Sequence, residues 1–137
     1  MGAAGVEMFA ELQGLTVRLR HGPSGREWHT VPPKDNGGDG SSFSPTDLLG
    51  ASLASCALST MALGAAREGL SFGPASAKVV KVMVGPPRRV GELPLEIAMP
   101  AGVPVAQRAR LEQLAHECPV ARSLHPDVKV EMRFVYP

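Results

Sequence analysis

The segment SPTDLLGASLASCALSTMALGAAREG, residues 44–69, carries the strongest structural signal in the chain. Ser44 can cap a helix, Pro45 suits its first position, and Asp47 completes a capping-box pattern. The apolar residues that follow continue to a stop signal at Gly69. Because this segment is apolar on nearly all sides, we expect it to form the central buried helix of the protein.

Length and composition predict one ordinary globular domain. With 137 residues, of which 44% are hydrophobic and 20% charged, we expect a single domain over residues 1–137. A net charge of +1 and an aromatic content of 4% argue against nucleic acid or an anionic membrane surface as a partner. No signal-peptide pattern opens the chain, which favours a cytoplasmic protein. Residues 48–66 carry no charge, but their small and polar side chains favour a packed helix over a membrane span.

Alternation of apolar and polar residues predicts strands before and after this helix, over residues 9–20, 26–31, 77–84, 93–99 and 128–136. A turn-rich segment at 21–25 would join the first two strands into a hairpin. Pro104 begins a second helix, which Pro119 ends or restarts as a short turn. The order β-β-α-β-β-α-β predicts an α+β fold with antiparallel sheets around the helix that carries Cys56.

Cys56 lies in the middle of the predicted central helix. Helical spacing places Ser52 and Thr60 on the same side of the helix as its thiol, beside apolar residues. The thiol can be a small buried hydrophobic group, as free cysteines often are. Alternatively it is a nucleophile, in which case another segment has to supply a cation to favour the thiolate. The candidate cations lie on the predicted first hairpin and are Arg18, Arg20 and Arg26.

Cys118 lies in the segment His116-Glu117-Cys118-Pro119, next to the predicted helix stop. It can be an ordinary residue at a helix end. A His-x-Cys metal site would need further ligands, and no recognised ligand spacing supplies them, so we expect no metal. The two cysteines are 62 positions apart, which excludes a CxxC pair, and they are too few for a secreted disulfide scaffold.

Two segments resemble the cysteine motifs of the OsmC/Ohr family, the osmotically inducible and organic hydroperoxide resistance proteins. Residues 44–49 (SPTDLL) and 51–56 (ASLASC) are similar to the first motif. Residues 115–120 (AHECPV), with the following strand at 128–131, are similar to the second motif, in a form typical of the OsmC-like branch. The resemblance implies an intertwined homodimer with two active sites at the subunit interface.

The resemblance also implies a thiol peroxidase that reduces organic hydroperoxides without a bound cofactor. Cys56 would be the peroxidatic cysteine, which becomes a sulfenic acid, and Cys118 the resolving cysteine. An external dithiol would reduce the resulting disulfide. Family peroxidases carry a glutamate where this chain has Thr46, so Asp47 would orient an activating arginine or only cap the helix. Arg18 is the nearest candidate for that arginine.

Two other functions remain open at this point. The protein could be a non-catalytic OsmC-like module that binds an apolar small molecule, a reading favoured by Thr46 at the position of the family glutamate. It could also be a thiol redox sensor, in which formation of the disulfide changes the binding of a partner. Turnover with a dithiol separates the peroxidase from both alternatives.

Overall fold

The computed structural model describes residues 5–137, which form two compact units. The first unit extends to Leu48, and the second comprises Leu49–Pro137. The single domain predicted over residues 1–137 begins outside the described residues, and its extent stays a prediction. The predicted α+β class is confirmed, with eight strands and three α-helices in the described residues.

The first unit contains a three-stranded antiparallel sheet in the order β1-β2-β3, built from Met8–Gln13, Thr16–His21 and Glu27–Thr30. The single strand expected over residues 9–20 is therefore wrong, because the chain reverses at Gly14 and forms two strands. Gly14 has a φ of 62°, a left-handed conformation that glycine adopts without steric cost. The hairpin expected between residues 9–20 and 26–31 is confirmed as the β2–β3 pair. The following loop contains one short 3₁₀ turn, Lys34–Asn36.

Helix α1 spans Pro45–Glu68, with the bounds expected from its capping signals. The Ser44 backbone N–H donates to Asp47 Oδ2 at 2.8 Å, and the Asp47 backbone N–H donates to Ser44 Oγ at 3.1 Å. These two reciprocal bonds form a capping box and satisfy donors that a helix start leaves without a partner. At the other end, Gly69 has a φ of 68°, as in a glycine-terminated helix.

The second unit contains two small sheets. Strands β4 (Ser76–Val79), β7 (Leu95–Ala98) and β8 (Met132–Val135) form one sheet, and β5 (Val82–Val84) pairs with β6 (Arg89–Glu92). The strand expected over residues 77–84 is thus broken, because its first half pairs with β7 and its second half with β6. These pairs are antiparallel as expected, whereas β8 runs parallel to β7.

Two further helices follow β7. Helix α2 spans Val105–His116, starting directly after Pro104 as expected. Helix α3 is a single short turn, Pro119–Ser123, which begins at the proline that was expected to end or restart the helix. The carboxyl end of α2 and the start of α3 are therefore separated by only two residues, Glu117 and Cys118.

Helix α1 buries one stripe of its surface rather than its whole circumference. The buried positions recur every three or four residues and are Gly50, Leu53, Ala57, Met61 and Ala65. This stripe joins a core that includes Leu95, Ile97 and Leu111. Other positions are open in the single chain, and Leu63 is 55% exposed. The helix is long and apolar enough to cross a membrane, but core helices share those properties, and this one packs into the core of the second unit.

Candidate active site

The thiols of Cys56 and Cys118 meet in the second unit. Cys56 lies in the middle of α1 and is partly exposed, whereas Cys118 is fully buried in the hydrophobic core. Cys56 packs against the core that contains Cys118, the two thiols interact with each other, and both cysteines are in the free thiol form. The fold therefore brings together two reactive groups that are 62 positions apart in the sequence.

The local sequence fixes the position of Cys118. Pro119 disfavours the helical conformation for the residue before it, and Cys118 accordingly has an extended backbone, with φ −62° and ψ 148°. Its N–H donates to the carbonyl of Ala115 at 3.2 Å, and its carbonyl accepts from the N–H of Arg122 at 3.1 Å. Cys118 is thus tied to the last turn of α2 on one side and is the N-cap of α3 on the other.

Burial raises the pKa of the Cys118 thiol above its ordinary value, and the contact with Cys56 raises this pKa further. The backbone N–H groups of Ala121 and Val120 point at the sulfur and act in the opposite direction. The net result is a Cys118 that keeps its proton at neutral pH. Cys118 therefore offers an S–H donor to the sulfur of Cys56.

A hydroxyl group also lies next to the sulfur of Cys56. Thr60 is one helical turn further along α1, and its Oγ1 is 3.8 Å from Cys56 Sγ. Ser52, which the helical spacing also places on this side, donates instead to the carbonyl of Leu49 at 2.8 Å. Of the two hydroxyls expected near Cys56, Thr60 is the one in contact with the thiol.

Arg18 and Asp47 lie in the first unit, and each is engaged locally. Arg18 is on β2 and forms an ion pair with Glu11 across the hairpin, with 2.9 Å between Nη2 and Oε2. Its side chain is 57% exposed. Asp47 accepts the hydrogen bond of the capping box from Ser44. The roles of Arg18 as activating and Asp47 as orienting residue stay predictions.

Of the other two candidate cations, Arg20 is also on β2, and Arg26 directly precedes β3. Arg20 lies over the ring of Phe9, with its guanidinium carbon 4.3 Å from the ring centre. Arg26 closes the turn after β2, because its backbone carbonyl accepts a hydrogen bond from the N–H of His21 at 2.8 Å. In residues 5–137, no group of three or more His, Cys, Asp or Glu side chains is arranged to hold a metal ion.

The backbone N–H groups that face Cys118 are site groups that sequence reasoning missed. Val120 and Ala121 contribute them from the first turn of α3. The signal was present in the Cys-Pro pair, because proline at the first position of a helix makes the preceding residue the N-cap. The free N–H groups of the first turn then point back toward the side chain of that residue.

Two neighbouring thiols can together give up a pair of electrons to an oxidant. Loss of two electrons and two protons joins them as a disulfide, and a dithiol can reverse the change by exchange. The partly exposed Cys56 can meet a substrate from solvent, whereas the buried Cys118 can react only with a group that is already inside the protein. The arrangement thus suits sequential reaction, first at Cys56 and then at Cys118.

A family profile described as "OsmC-like protein" matches residues 38–133, which contain both cysteines. The chain belongs to the OsmC-like family. A candidate osmotic stress induced and detoxification response protein from Psychrobacter arcticus is 34% identical over 98% of both chains, with a TM-score of 0.87. This similarity confirms the resemblance seen in the two cysteine motifs.

More distant solved structures share the OsmC-like fold. One is an organic hydroperoxide resistance protein OsmC from Legionella pneumophila, 19% identical over 98% of both chains, with a TM-score of 0.80. Another is the organic hydroperoxide resistance protein OhrB of Bacillus subtilis, 15% identical over 96% of this chain and 98% of its own, with a TM-score of 0.70. A search of curated proteins found no match.

Proposed function

We propose that this OsmC-like protein is a thiol peroxidase that reduces organic hydroperoxides through Cys56 and Cys118. The observation that carries the proposal is the contact between a partly exposed thiol and a buried one. The names of the fold relatives from L. pneumophila and B. subtilis, organic hydroperoxide resistance proteins, support the choice of substrate class.

In the first step, the Cys56 thiolate attacks the terminal oxygen of the hydroperoxide. A sulfur–oxygen bond forms, the oxygen–oxygen bond breaks, and the departing alkoxide takes a proton from solvent to leave as an alcohol. Cys56 is oxidised to a sulfenic acid, and the hydroperoxide is reduced by two electrons. Partial exposure gives the substrate access to this sulfur.

In the second step, the sulfur of Cys118 attacks the sulfur of the Cys56 sulfenic acid. The sulfenic hydroxyl leaves as water with the proton of Cys118, and a Cys56–Cys118 disulfide remains. An external dithiol then reduces this disulfide by exchange and is itself oxidised. The interaction between the two thiols supports this step, because it places the resolving sulfur next to the oxidised one. A homodimer and a cytoplasmic location are further parts of the proposal.

The test is dithiol-dependent consumption of cumene hydroperoxide by the wild type and three variants. Cys56→Ser should abolish turnover. Cys118→Ser should allow the first oxidation but accumulate a sulfenic acid that dimedone traps. Ser59→Ala is the matched control, because Ser59 lies on the same helix and directs its hydroxyl to the carbonyls of Ser55 and Cys56. Equal turnover by the wild type and Cys56→Ser would contradict the mechanism.

Three observations favour a non-catalytic module or a redox sensor as the second candidate. The chain has Thr46 where family peroxidases have glutamate, Asp47 accepts a bond in the helix cap, and Arg18 is paired with Glu11. The second candidate predicts a reversible Cys56–Cys118 disulfide but no turnover with cumene hydroperoxide and any dithiol. Measurable turnover that depends on Cys56 would exclude it.

A further inference from the structure

Thr60 has a hydroxyl directed at the sulfur on which the proposed reaction begins. Its Oγ1 lies 3.8 Å from Cys56 Sγ, and the two residues are four positions apart on α1. Residues at this spacing lie one above the other on the same face of a helix. Both side chains are partly buried, so solvent competes less for their contact than it does at an open surface.

A hydroxyl in a helix commonly donates to a carbonyl in the preceding turn. Ser59 does this, with Oγ at 2.9 Å from the carbonyl oxygen of Ser55 and 3.3 Å from that of Cys56. Thr60 instead contacts the side chain of Cys56. When Cys56 is ionised its sulfur carries no hydrogen, so the Thr60 hydroxyl has to be the donor in this contact.

Cys118 supplies a second donor to the same sulfur. Its thiol is buried in the core against which Cys56 packs, and burial together with the interaction with Cys56 favours the protonated form of Cys118. Two neutral donors, one O–H and one S–H, therefore converge on Cys56 from different elements of the second unit. Hydrogen bonds to an ionised group are stronger than those between neutral groups, so both contacts gain strength when the thiolate forms.

We propose that Thr60 is a catalytic residue, whose hydroxyl donates a hydrogen bond to the Cys56 thiolate and, together with the S–H of Cys118, holds that thiolate for attack on the hydroperoxide. This inference rests on the proposed peroxidase function. During the attack, Thr60 and Cys118 both keep their protons, and the alkoxide that leaves is protonated by solvent. Cys118 gives up its proton only in the second step, when the sulfenic hydroxyl departs as water.

The test compares Thr60→Val, which removes the hydroxyl and keeps the branched shape, with Thr60→Ser, which keeps the hydroxyl. Ser59→Ala is the control for loss of a neighbouring hydroxyl on the same helix. Two rates are measured for each protein. The first is alkylation of Cys56 by iodoacetamide across a pH series, followed by mass spectrometry of its peptide. The second is oxidation of Cys56 by cumene hydroperoxide in a single turnover.

We expect Thr60→Val to slow both reactions at pH 7 by roughly threefold or more. The loss of one hydrogen bond to the charged sulfur lowers the fraction of Cys56 present as thiolate. The greater nucleophilicity of the remaining thiolate offsets part of that effect. The difference in alkylation should shrink or reverse at high pH, where Cys56 is ionised in every variant. Thr60→Ser and Ser59→Ala should stay close to the wild type. A merely structural role of Thr60 would not produce this pH dependence.

Wild-type rates in Thr60→Val at every pH would overturn the inference. Equal slowing in Thr60→Val and Thr60→Ser would also overturn it, because the effect would then come from packing and not from the hydroxyl. If the wild type does not react with cumene hydroperoxide, the proposed function fails, but alkylation still decides whether Thr60 supports the thiolate. Retained helical circular dichroism in each variant shows that the comparison is made between folded proteins.

Discussion

Oxidation of the Cys56–Cys118 pair should stabilise the protein against unfolding. The two residues are 62 positions apart, so a disulfide would close a loop of that length in the unfolded chain. The loss of chain entropy for such a loop corresponds to about 4 kcal/mol. The two thiols already interact in the reduced protein, so we expect the disulfide to form within the native fold. For a chain of 137 residues, the midpoint of thermal unfolding should rise by about 10–15 °C.

The assay is thermal unfolding followed by circular dichroism, with the protein either reduced or oxidised by diamide. Diamide forms disulfides without hydroperoxide chemistry, so the result depends on the geometry of the thiols and not on the peroxidase mechanism. Cys118→Ser is the matched control, since it keeps Cys56 but cannot form the intramolecular bond, and its midpoint should not rise. If mass spectrometry verifies an intramolecular disulfide and the midpoint is unchanged or lower, the bond does not stabilise the native state as expected.

Three further predictions concern the second unit. Tyr136→Phe should lower the free energy of unfolding by about 1.5 kcal/mol in urea titration, because Tyr136 Oη donates to the Glu112 carboxylate at 2.6 Å; a loss below about 0.5 kcal/mol would contradict this. The free energy of unfolding of the reduced protein should fall as pH rises above about 8.5, because the raised pKa of Cys118 lets the unfolded state release this proton first. Cys118→Ser should lack that part of the decline, and parallel curves for the two proteins would argue against it. Leu111→Ala should cost about 2–5 kcal/mol, because Leu111 is fully buried. Val105→Ala in the same helix, at a position 75% exposed, should cost less than about 0.5 kcal/mol. Equal losses of unfolding free energy for the two variants in urea titration would contradict this difference.

Helix α1 could be predicted to the residue because its signals are local. Ser44 and Asp47 cap each other within one turn, and Gly69 ends the helix with a left-handed backbone. The bounds of the strands were harder to predict, because alternation of apolar and polar residues indicates which side chains are buried and not where the chain turns. Gly14, with a φ of 62°, reverses the chain inside a segment whose apolar residues predict one extended strand, and the pairing of β1 with β2 shows the turn.

Pairing between distant strands also lay beyond the sequence pattern. Val79 pairs with β7 and Val82 with β6, so a single valine-rich run is divided between two sheets. Strand β8 runs parallel to β7, an arrangement that the long connection through α2 and α3 permits. These features depend on contacts far apart in the chain, for which a local pattern carries no signal.

In the candidate site too, contacts within one helix could be predicted from the sequence, whereas contacts between distant segments could not. The position of Thr60 beside Cys56 follows from helical periodicity alone and agrees with the 3.8 Å contact. The interaction of Cys56 with Cys118 joins α1 to the junction between α2 and α3, and only the resemblance of the two motifs to a family led to that pairing. Helical periodicity placed Ser52 beside the thiol as well, but its hydroxyl bonds to the carbonyl of Leu49, an alternative that periodicity does not decide.

The most direct test of the central claim is to identify which sulfur the hydroperoxide oxidises first. Cys118→Ser and Cys56→Ser each retain one cysteine, since the chain has only two. Each variant is treated with one equivalent of cumene hydroperoxide in the presence of dimedone, and the modified peptide is identified by mass spectrometry. We expect rapid dimedone labelling of Cys56 in Cys118→Ser and little labelling of Cys118 in Cys56→Ser. Labelling of Cys118 at an equal or greater rate would contradict it.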